Sequence, residues 1–173
     1  MNYWLRNIGC GLLIMLVVAC QESKNGTAPM KEMSPDKDDL IEVNRQLTDK
    51  DKDIIEAFIK RKQWAMEFYP DGYYAMIMEE GQGATARDGS VIELRCTIKL
   101  LDGTICYENK DISFVVGKSV EIAGLHRAAT QLRQGAKARF IFPPHLAYGL
   151  VGDRNKIGAR STLLYEIEVV KIN

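Results

Sequence analysis

The segment Phe142-Pro143-Pro144-His145-Leu146-Ala147-Tyr148-Gly149 separates two stretches with the pattern of β-strands, Ala136–Phe142 and Leu163–Ile172. Both stretches are rich in branched and aromatic residues and alternate with a period of two, which is typical of strands. The same pattern occurs earlier in the chain, in Tyr73–Glu79, Val91–Leu101 and Ile112–Val116. Turn residues separate these stretches, so the sequence predicts five strands in one twisted antiparallel sheet.

A short helix is predicted between the third and fourth of these strands. Ser119–Leu132 carries few charges, and its apolar residues are spaced for a helix. These apolar residues are Val120, Leu125, Ala128, Ala129 and Leu132. Because so apolar a helix needs cover, we expect the sheet to wrap around it. The predicted fold of residues 70–173 is therefore α+β.

Residues 39–69 are predicted to form a helical extension in front of this domain. One apolar stripe with a 3.6-residue period consists of Ile54, Ile55, Phe58, Ile59, Ala65 and Met66. Leu40, Ile41, Val43 and Leu47 indicate a shorter first helix. Thr48 is then the predicted N-cap of a second helix, and Pro70-Asp71-Gly72 ends it. The extension is expected either to dock on the domain or to form a homodimer with a second copy.

Residues 1–19 have the pattern of a bacterial lipoprotein signal peptide. Arg6 precedes Ile8–Ala19, an uncharged apolar run shorter than the ~20 residues that span a bilayer. The run ends in Leu16-Val17-Val18-Ala19-Cys20, which resembles a lipobox, so Cys20 is expected to be diacylated. Gln21 is not a retention signal of the Asp type, which favours the outer membrane. A plain secretory signal and a membrane-spanning anchor are the alternatives.

Residues 20–38 are predicted to be a flexible tether between the lipid anchor and the helical extension. Gln21–Asp38 is polar, contains two of the five prolines and shows no apolar period. Such a segment does not bury enough apolar surface to offset the entropy of ordering it. The predicted location of the mature protein is the cell envelope.

Composition and motifs exclude several classes of function. The chain has 173 residues, with 23 basic and 23 acidic side chains, so nucleic-acid binding is not expected. Its four Cys and two His show no metal-ligand spacing, and no metal or other cofactor is predicted. Neither His126 nor His145 has a nucleophile or acid nearby in the sequence, and no nucleotide-binding motif occurs. What remains is a pocket that acts without covalent chemistry.

A set of motifs in the order and spacing of one enzyme family covers the chain from about Gly81 to Asn173. They are Leu101-Asp102-Gly103-Thr104, Phe114-Val115-Val116-Gly117-Lys118, Gly124-Leu125, Leu132-Arg133-Gln134-Gly135 with Lys137, Phe142–Gly149 and Ser161–Glu168. Together they resemble the FKBP-type peptidyl-prolyl cis-trans isomerases. Residues 39–68 are similar, less specifically, to the N-terminal extension of bacterial lipoprotein FKBPs, including gliding-motility-associated ones.

The resemblance implies a site for proline-containing segments. It implies that Tyr148 donates a hydrogen bond at the pocket rim, and that Ile122 supplies its backbone N–H and an apolar wall. Ile157 would cap the pocket and Tyr165 would line it. The departures from the family pattern are Cys96 for an inner Tyr, Cys106 for a Phe, Tyr107 for an Asp, Ile112 for a second Phe and Leu125 for the Trp floor. These changes imply a degenerate pocket, shallower or wider and without that carboxylate.

Two functions of different classes follow from this resemblance. The first is a membrane-anchored prolyl isomerase that acts on X-Pro segments of envelope proteins. The second is a chaperone or binding module that keeps the fold without useful turnover and serves an envelope, gliding or secretion assembly.

Cys96 and Cys106 are predicted to be free buried thiols, although a disulfide is the alternative in an oxidising compartment. If Leu101-Asp102-Gly103 forms a three-residue loop with a Gly bulge, Thr104 pairs with Leu100 and Cys106 opposes Ile98. Cys96 is then a diagonal neighbour of Cys106 at ~7–8 Å, beyond the ~4.4–6.8 Å that a disulfide spans between Cα atoms. A two-residue turn would place the thiols on opposite faces of the sheet.

Overall fold

The computed structural model describes residues 36–118 and 121–173. The predicted signal peptide, Cys20 and the tether up to residue 35 lie outside the described residues, as do Ser119 and Val120 of the predicted short helix. Asp36–Asn173 forms one compact unit. Within the described ranges, no helix combines the length and the apolar character needed to cross a membrane.

The described chain forms one antiparallel sheet of six strands in the order β1-β2-β5-β6-β3-β4. The strands are β1 (Glu67–Tyr69), β2 (Tyr73–Glu79), β3 (Val91–Leu100), β4 (Ile105–Val115), β5 (Lys137–Phe142) and β6 (Leu163–Ile172). The predicted α+β class is confirmed, but the predicted count of five strands is wrong. The extra strand is β1, which pairs with β2 across the Pro70-Asp71-Gly72 turn.

Strand β4 begins at Ile105, whereas the sequence pattern predicted a start at Ile112. It lies at the edge of the sheet and pairs only with β3 among the described strands. Its middle portion, residues 108–111, is polar and mostly exposed, and Asn109 adopts a positive φ of 48°. Because this part of the edge strand faces solvent and is interrupted by bulges, it lacks the alternation by which strands are recognised.

Helix α1 (Lys37–Lys62) is continuous, so the predicted break into two helices is wrong. Asp36 is its N-cap, and the Thr48 hydroxyl instead donates to the Asn44 carbonyl inside the helix at 2.9 Å. A threonine hydroxyl can cap the start of a helix or, as here, bond to the preceding turn of the same helix. The sequence around Thr48 does not distinguish these two roles. The helix ends at Gln63 in the left-handed region, before Ala65 and Met66 of the predicted stripe.

The sheet carries one helix on each face. Helix α2 (Ala123–Ala129), shorter than predicted, packs on the face that contains Tyr73, Phe140 and Leu163. On the other face, Ile55 and Phe58 of α1 form a second cluster with Tyr74, Ile141 and Leu164. Neighbouring residues of β2, β5 and β6 thus pack against opposite helices, as the period of two requires. Of the two arrangements expected for the helical extension, the structure shows α1 docked on the domain.

An ion-pair network lies beside the end of α1 on the outer face of the sheet. Glu166 accepts hydrogen bonds from Lys99 at 2.6 Å and from Arg139 at 3.0 Å. Burial alone would raise the pKa of Glu166, but these two cationic donors outweigh it and lower the pKa. The Arg139 guanidinium also lies 4.6 Å from the centre of the Trp64 ring. The network therefore ties three strands to the segment that follows α1.

Candidate active site

The structure brings the candidate site residues into one region on the α2 face of the sheet. Those that are buried in the core cluster are Cys96, Cys106, Ile112, Ile122, Leu125, Ile157 and Tyr165. Tyr107 and Tyr148 are partly buried and pack against the same cluster. These residues come from β3, β4, β6, from α2 and its N-cap, and from the loop between β5 and β6, so only the folded topology makes them neighbours.

Leu125 forms the part of the wall that α2 contributes and is 1% exposed. The preceding residue, Gly124, lets the helix lie directly on Phe142, because a Cβ there would collide with the Phe142 ring. The Phe142 ring meets the Tyr165 ring edge-on, with 5.3 Å between their centres. The site therefore has an aromatic wall formed by Phe142, a residue the sequence analysis noted in a motif but did not assign to the pocket.

Tyr148 follows the single 3₁₀ turn η1 (Pro144–Leu146), at the start of a loop closed by backbone hydrogen bonds. Gly149 donates to the Pro144 carbonyl at 2.9 Å and accepts from the Arg160 N–H at 2.8 Å. Gly149 has a φ of +58°, a conformation that glycine adopts without the cost a side chain brings. Burial raises the pKa of the Tyr148 hydroxyl, so at neutral pH it is protonated and able to donate.

Ile122 is the N-cap residue of α2, and its carbonyl accepts from the Leu125 N–H at 3.0 Å. Its own N–H donates to no acceptor among the described residues. A backbone donor at a buried position normally has a partner. The Ile122 N–H is therefore free for a ligand, in line with the role that the family resemblance implies.

A carboxylate that sequence reasoning missed lies beside Tyr107. The Tyr107 hydroxyl donates to Oδ2 of Asp153, and the Asn155 side-chain amide donates to the Tyr107 oxygen at 3.2 Å. Oδ1 of Asp153 accepts from the backbone N–H groups of Asn155 at 2.9 Å and Ile157 at 2.8 Å. The Tyr107–Asp153 pair thus fixes the loop that carries Ile157. Asp153, between Gly152 and Asn155, has the composition of an Asx turn, the one sequence signal for it.

The charge states in this pair follow from its hydrogen bonds. Burial alone would raise the pKa of Asp153, but hydrogen bonds from Tyr107 and from the loop backbone outweigh it and lower the pKa. The hydrogen bond to Asp153 raises the pKa of Tyr107. At neutral pH an ionised carboxylate therefore accepts from a protonated phenol, a strong type of hydrogen bond.

Cys96 and Cys106 are free and buried, as predicted, but the predicted register between them is wrong. Thr104 does pair with Leu100, whose N–H donates to the Thr104 carbonyl at 2.9 Å. Ile98, however, opposes Tyr107 and Lys99 opposes Ile105, so Cys106 is the extra residue of a bulge. The Cys96 thiol donates to the Lys110 carbonyl at 3.5 Å, and burial raises its pKa to about 12. Both thiols are buried and have raised pKa values, so they are protonated at neutral pH and act as apolar packing groups, not as nucleophiles.

Two cavities of the described chain lie away from the candidate residues. One, of about 100 Å³, is apolar and lies between α1 and the sheet, beside Ile55, Phe68 and Tyr74. The other, of about 710 Å³, is lined largely by polar groups such as Glu79, Gln82, Arg95 and Glu168. The described residues contain no group of three or more His, Cys, Asp or Glu side chains that could hold a metal ion. His126 accepts a hydrogen bond from the Gly117 N–H at 3.0 Å. The candidate site therefore rests on the cluster around Tyr148 and Leu125 and on the family resemblance.

Comparison with known proteins finds one matching family. Residues 82–170 match the family described as FKBP-type peptidyl-prolyl cis-trans isomerase, just over half of the 173-residue chain. The chain is 26% identical over 149 residues to a Neisseria meningitidis protein named "Probable FKBP-type peptidyl-prolyl cis-trans isomerase FkpA". That match covers 83% of this chain and 54% of the relative, so the chain spans about half the length of that protein.

A shorter relative and a solved structure also match a large part of the chain. The chain is 31% identical over 106 residues to the Drosophila melanogaster peptidyl-prolyl cis-trans isomerase Fkbp12, a match that covers 58% of this chain and 98% of the relative. The crystal structure of FkpA from Escherichia coli superposes with a TM-score of 0.62 at 24% identity. It covers 78% of this chain and 64% of the other, a similarity of fold.

Proposed function

Because the chain belongs to the family of FKBP-type peptidyl-prolyl cis-trans isomerases, we propose that it catalyses the cis-trans isomerisation of X-Pro bonds in protein segments. The observation that carries the proposal is the meeting of a partly buried tyrosine donor, Tyr148, with a buried apolar wall that includes Ile122, Ile157 and Phe142. No covalent step is required, which suits a site without a nucleophile and base pair.

The barrier explains why such a pocket is sufficient. Rotation about an amide bond costs ~18–20 kcal/mol, because the twisted amide loses its resonance. The cis and trans states of an X-Pro bond differ by only ~0.5–1 kcal/mol, so a catalyst needs to act on the twisted state alone. An apolar pocket removes water, which stabilises the planar and more polar amide, and fixed donors hold the twisted carbonyl. Tyr148 is the donor we assign to that carbonyl, and the Ile122 N–H is a donor for the backbone of the bound segment.

We further propose that the pocket is degenerate relative to the family pattern. Where the family has larger side chains, this chain has Cys106, Ile112 and Leu125, which are 2%, 5% and 1% exposed. Since neighbours cover these positions closely, a shallower pocket is favoured over a wider one. A shallow pocket supports the alternative function as well, a chaperone or binding module that holds proline segments without useful turnover.

The two functions are separated by exchange spectroscopy on an X-Pro peptide series with purified residues 21–173. An isomerase accelerates the exchange between cis and trans peptide signals in proportion to protein concentration. A binding module shifts or broadens the peptide signals and leaves the exchange rate at its uncatalysed value. The second result would contradict the proposed activity and leave the binding module.

We also propose that the protein is a lipid-anchored member of the bacterial lipoprotein subgroup, similar to gliding-motility-associated FKBPs. The sequence Leu16–Cys20 supports this proposal, with Cys20 as the acylated residue and the cell envelope, at the outer membrane, as the location. The substrates would then be X-Pro segments of envelope proteins. A homodimer through the helical extension remains part of this proposal, supported by the exposed Leu40, Ile41 and Val43 of α1.

A pair of cysteine variants tests the lipid anchor. Cys20→Ser should abolish labelling by a fatty-acid analogue and release the protein from the membrane fraction, since no acyl chain remains to hold it. Cys10→Ser is the matched control, because Cys10 precedes the proposed cleavage site and should leave labelling unchanged. Equal labelling and equal membrane partition of Cys20→Ser and the wild type would contradict the proposal.

A further inference from the structure

Tyr165 is completely buried, yet its hydroxyl has no hydrogen-bond partner among the described residues. A buried donor without an acceptor destabilises the folded state, because it has given up its hydrogen bonds to water. Replacement by phenylalanine would remove this cost while keeping the ring. Such a hydroxyl is available to an acceptor that the free protein does not contain.

The hydroxyl lies among groups of the candidate site. Its ring contacts the Phe142 ring at 5.3 Å, and both belong to the cluster that contains Leu125 and Ile157. Among the groups that influence its ionisation, the Tyr148 hydroxyl comes first and acts toward it as a weak acceptor outside hydrogen-bond geometry. The Cys96 thiol and the Glu121 carboxylate follow. Burial, followed by the Tyr148 hydroxyl, raises the pKa of Tyr165, so the group is a protonated donor at any physiological pH.

We propose that the Tyr165 hydroxyl is a second hydrogen-bond donor for the carbonyl that precedes proline, acting beside Tyr148. This inference rests on the proposed function and adds a catalytic residue to it. The Tyr165 hydroxyl has no exposed surface in the free protein, and Tyr148, its partly exposed neighbour, lies on the way to it. The inference therefore requires that a carbonyl bound at Tyr148 displaces the packing over the inner hydroxyl. The bound carbonyl supplies the acceptor that Tyr165 lacks in the free protein.

The energetic consequence is a donor whose hydrogen bond is made only with substrate. The free protein bears the cost of the unpartnered hydroxyl, and the bound amide relieves it. Donors that the fold holds in place and aims at the site where charge develops stabilise a transition state. As the amide twists, its carbonyl becomes a keto-like acceptor held by two phenols, Tyr148 and Tyr165, instead of one.

The chain offers a matched control in Tyr73. Tyr73 is likewise completely buried, its hydroxyl also lacks a partner among the described residues, and its ring also lies against Phe142, at 5.9 Å. The charged and polar groups that influence Tyr73 are Asp71, Tyr69 and Arg127, none of which belongs to the candidate site. Tyr73→Phe therefore reproduces the structural change of Tyr165→Phe away from the proposed carbonyl.

The test compares Tyr165→Phe and Tyr73→Phe in the purified full-length protein. Both variants are expected to raise the midpoint of urea unfolding, because each removes one unpartnered buried hydroxyl. Only Tyr165→Phe is expected to lower kcat/KM for an X-Pro peptide, by about ten- to a hundredfold, as for the loss of one donor in a transition state. Greater stability together with lower activity is a result that a purely structural role does not give.

Three results would overturn the inference. They are an unchanged kcat/KM in Tyr165→Phe, an equal loss in Tyr73→Phe, or a lower unfolding midpoint in Tyr165→Phe, which would mean that the hydroxyl is satisfied within the fold. If the wild type shows no turnover, the proposed isomerase function fails. The donor is then judged by the Kd of a proline peptide, which Tyr165→Phe should weaken and Tyr73→Phe should not. Equal Kd values would refute the donor role.

Discussion

Replacement of Ile55 by alanine tests how the long helix α1 is held on the sheet. Ile55 is 1% exposed and packs with Phe58, Tyr74 and Leu164, whereas its neighbour Ile54 is 57% exposed. Ile→Ala in a core removes three carbon atoms and leaves a cavity, which together cost about 3 kcal/mol. The same substitution at Ile54 changes helix propensity equally and should cost less than about 0.5 kcal/mol.

For a unit of this size, Ile55→Ala should lower Tm by about 10 °C, and Ile54→Ala should leave it nearly unchanged. Thermal unfolding is followed by far-UV and near-UV circular dichroism at low protein concentration, so that any self-association is minimised. If the two variants lose the same stability, α1 is not docked through the face described here. If Ile54→Ala is the more destabilised, the exposed face of α1 is the buried one in solution, as in a homodimer.

Three further variants probe the site and the sheet. Leu125→Trp should lower the free energy of unfolding by about 1–3 kcal/mol, since Leu125 is 1% exposed and its surroundings have no room for an indole ring. An unchanged midpoint of urea unfolding would show that the pocket is open at this position. Asp153→Asn keeps an acceptor for the loop N–H groups but loses the acceptor for the Tyr107 hydroxyl, so it should speed hydrogen exchange in residues 149–157 as much as Tyr107→Phe does. Exchange at the wild-type rate in either variant would contradict the pairing of Tyr107 with Asp153. The pKa of Glu166 is lowered in the fold, so its ionised carboxylate stabilises the fold above the unfolded pKa, and this stabilisation is lost as pH falls through the folded pKa. Glu166→Gln should therefore flatten the acid limb of a plot of Tm against pH, and an unchanged limb would rule this out.

The parts of the fold that were predictable are those in which burial leaves a periodic pattern. Strands β2, β3, β5 and β6 each have at least one face in a core, and the sequence located them within one residue at either end. The edge strand β4 was predicted too short, because the mostly exposed residues 108–111 have no apolar alternation to detect. Thr48 was misread as a cap, because its sequence context is the same whether its hydroxyl serves a helix start or the preceding turn.

The candidate site was predictable only through family resemblance. That resemblance selected Tyr148, Ile122 and Leu125, which no local pattern distinguishes from ordinary core residues. It could not find Asp153, because the contact between Asp153 and Tyr107 joins positions 46 residues apart and exists only in the folded chain. The unpartnered hydroxyl of Tyr165 is likewise a property of packing, invisible in the sequence.

The most direct test of the account is the isomerisation rate of an X-Pro peptide with wild type, Tyr148→Phe and Tyr74→Phe. Tyr74 lies on the opposite face of the sheet, where its hydroxyl donates to Glu56 at 3.0 Å, so Tyr74→Phe controls for loss of a hydroxyl outside the pocket. We predict that the wild type clearly accelerates isomerisation and that Tyr74→Phe has the same kcat/KM. Tyr148→Phe should lose up to about a hundredfold in kcat/KM with unchanged near-UV circular dichroism. A wild type without acceleration, or a Tyr148→Phe variant as fast as the wild type, would contradict the account.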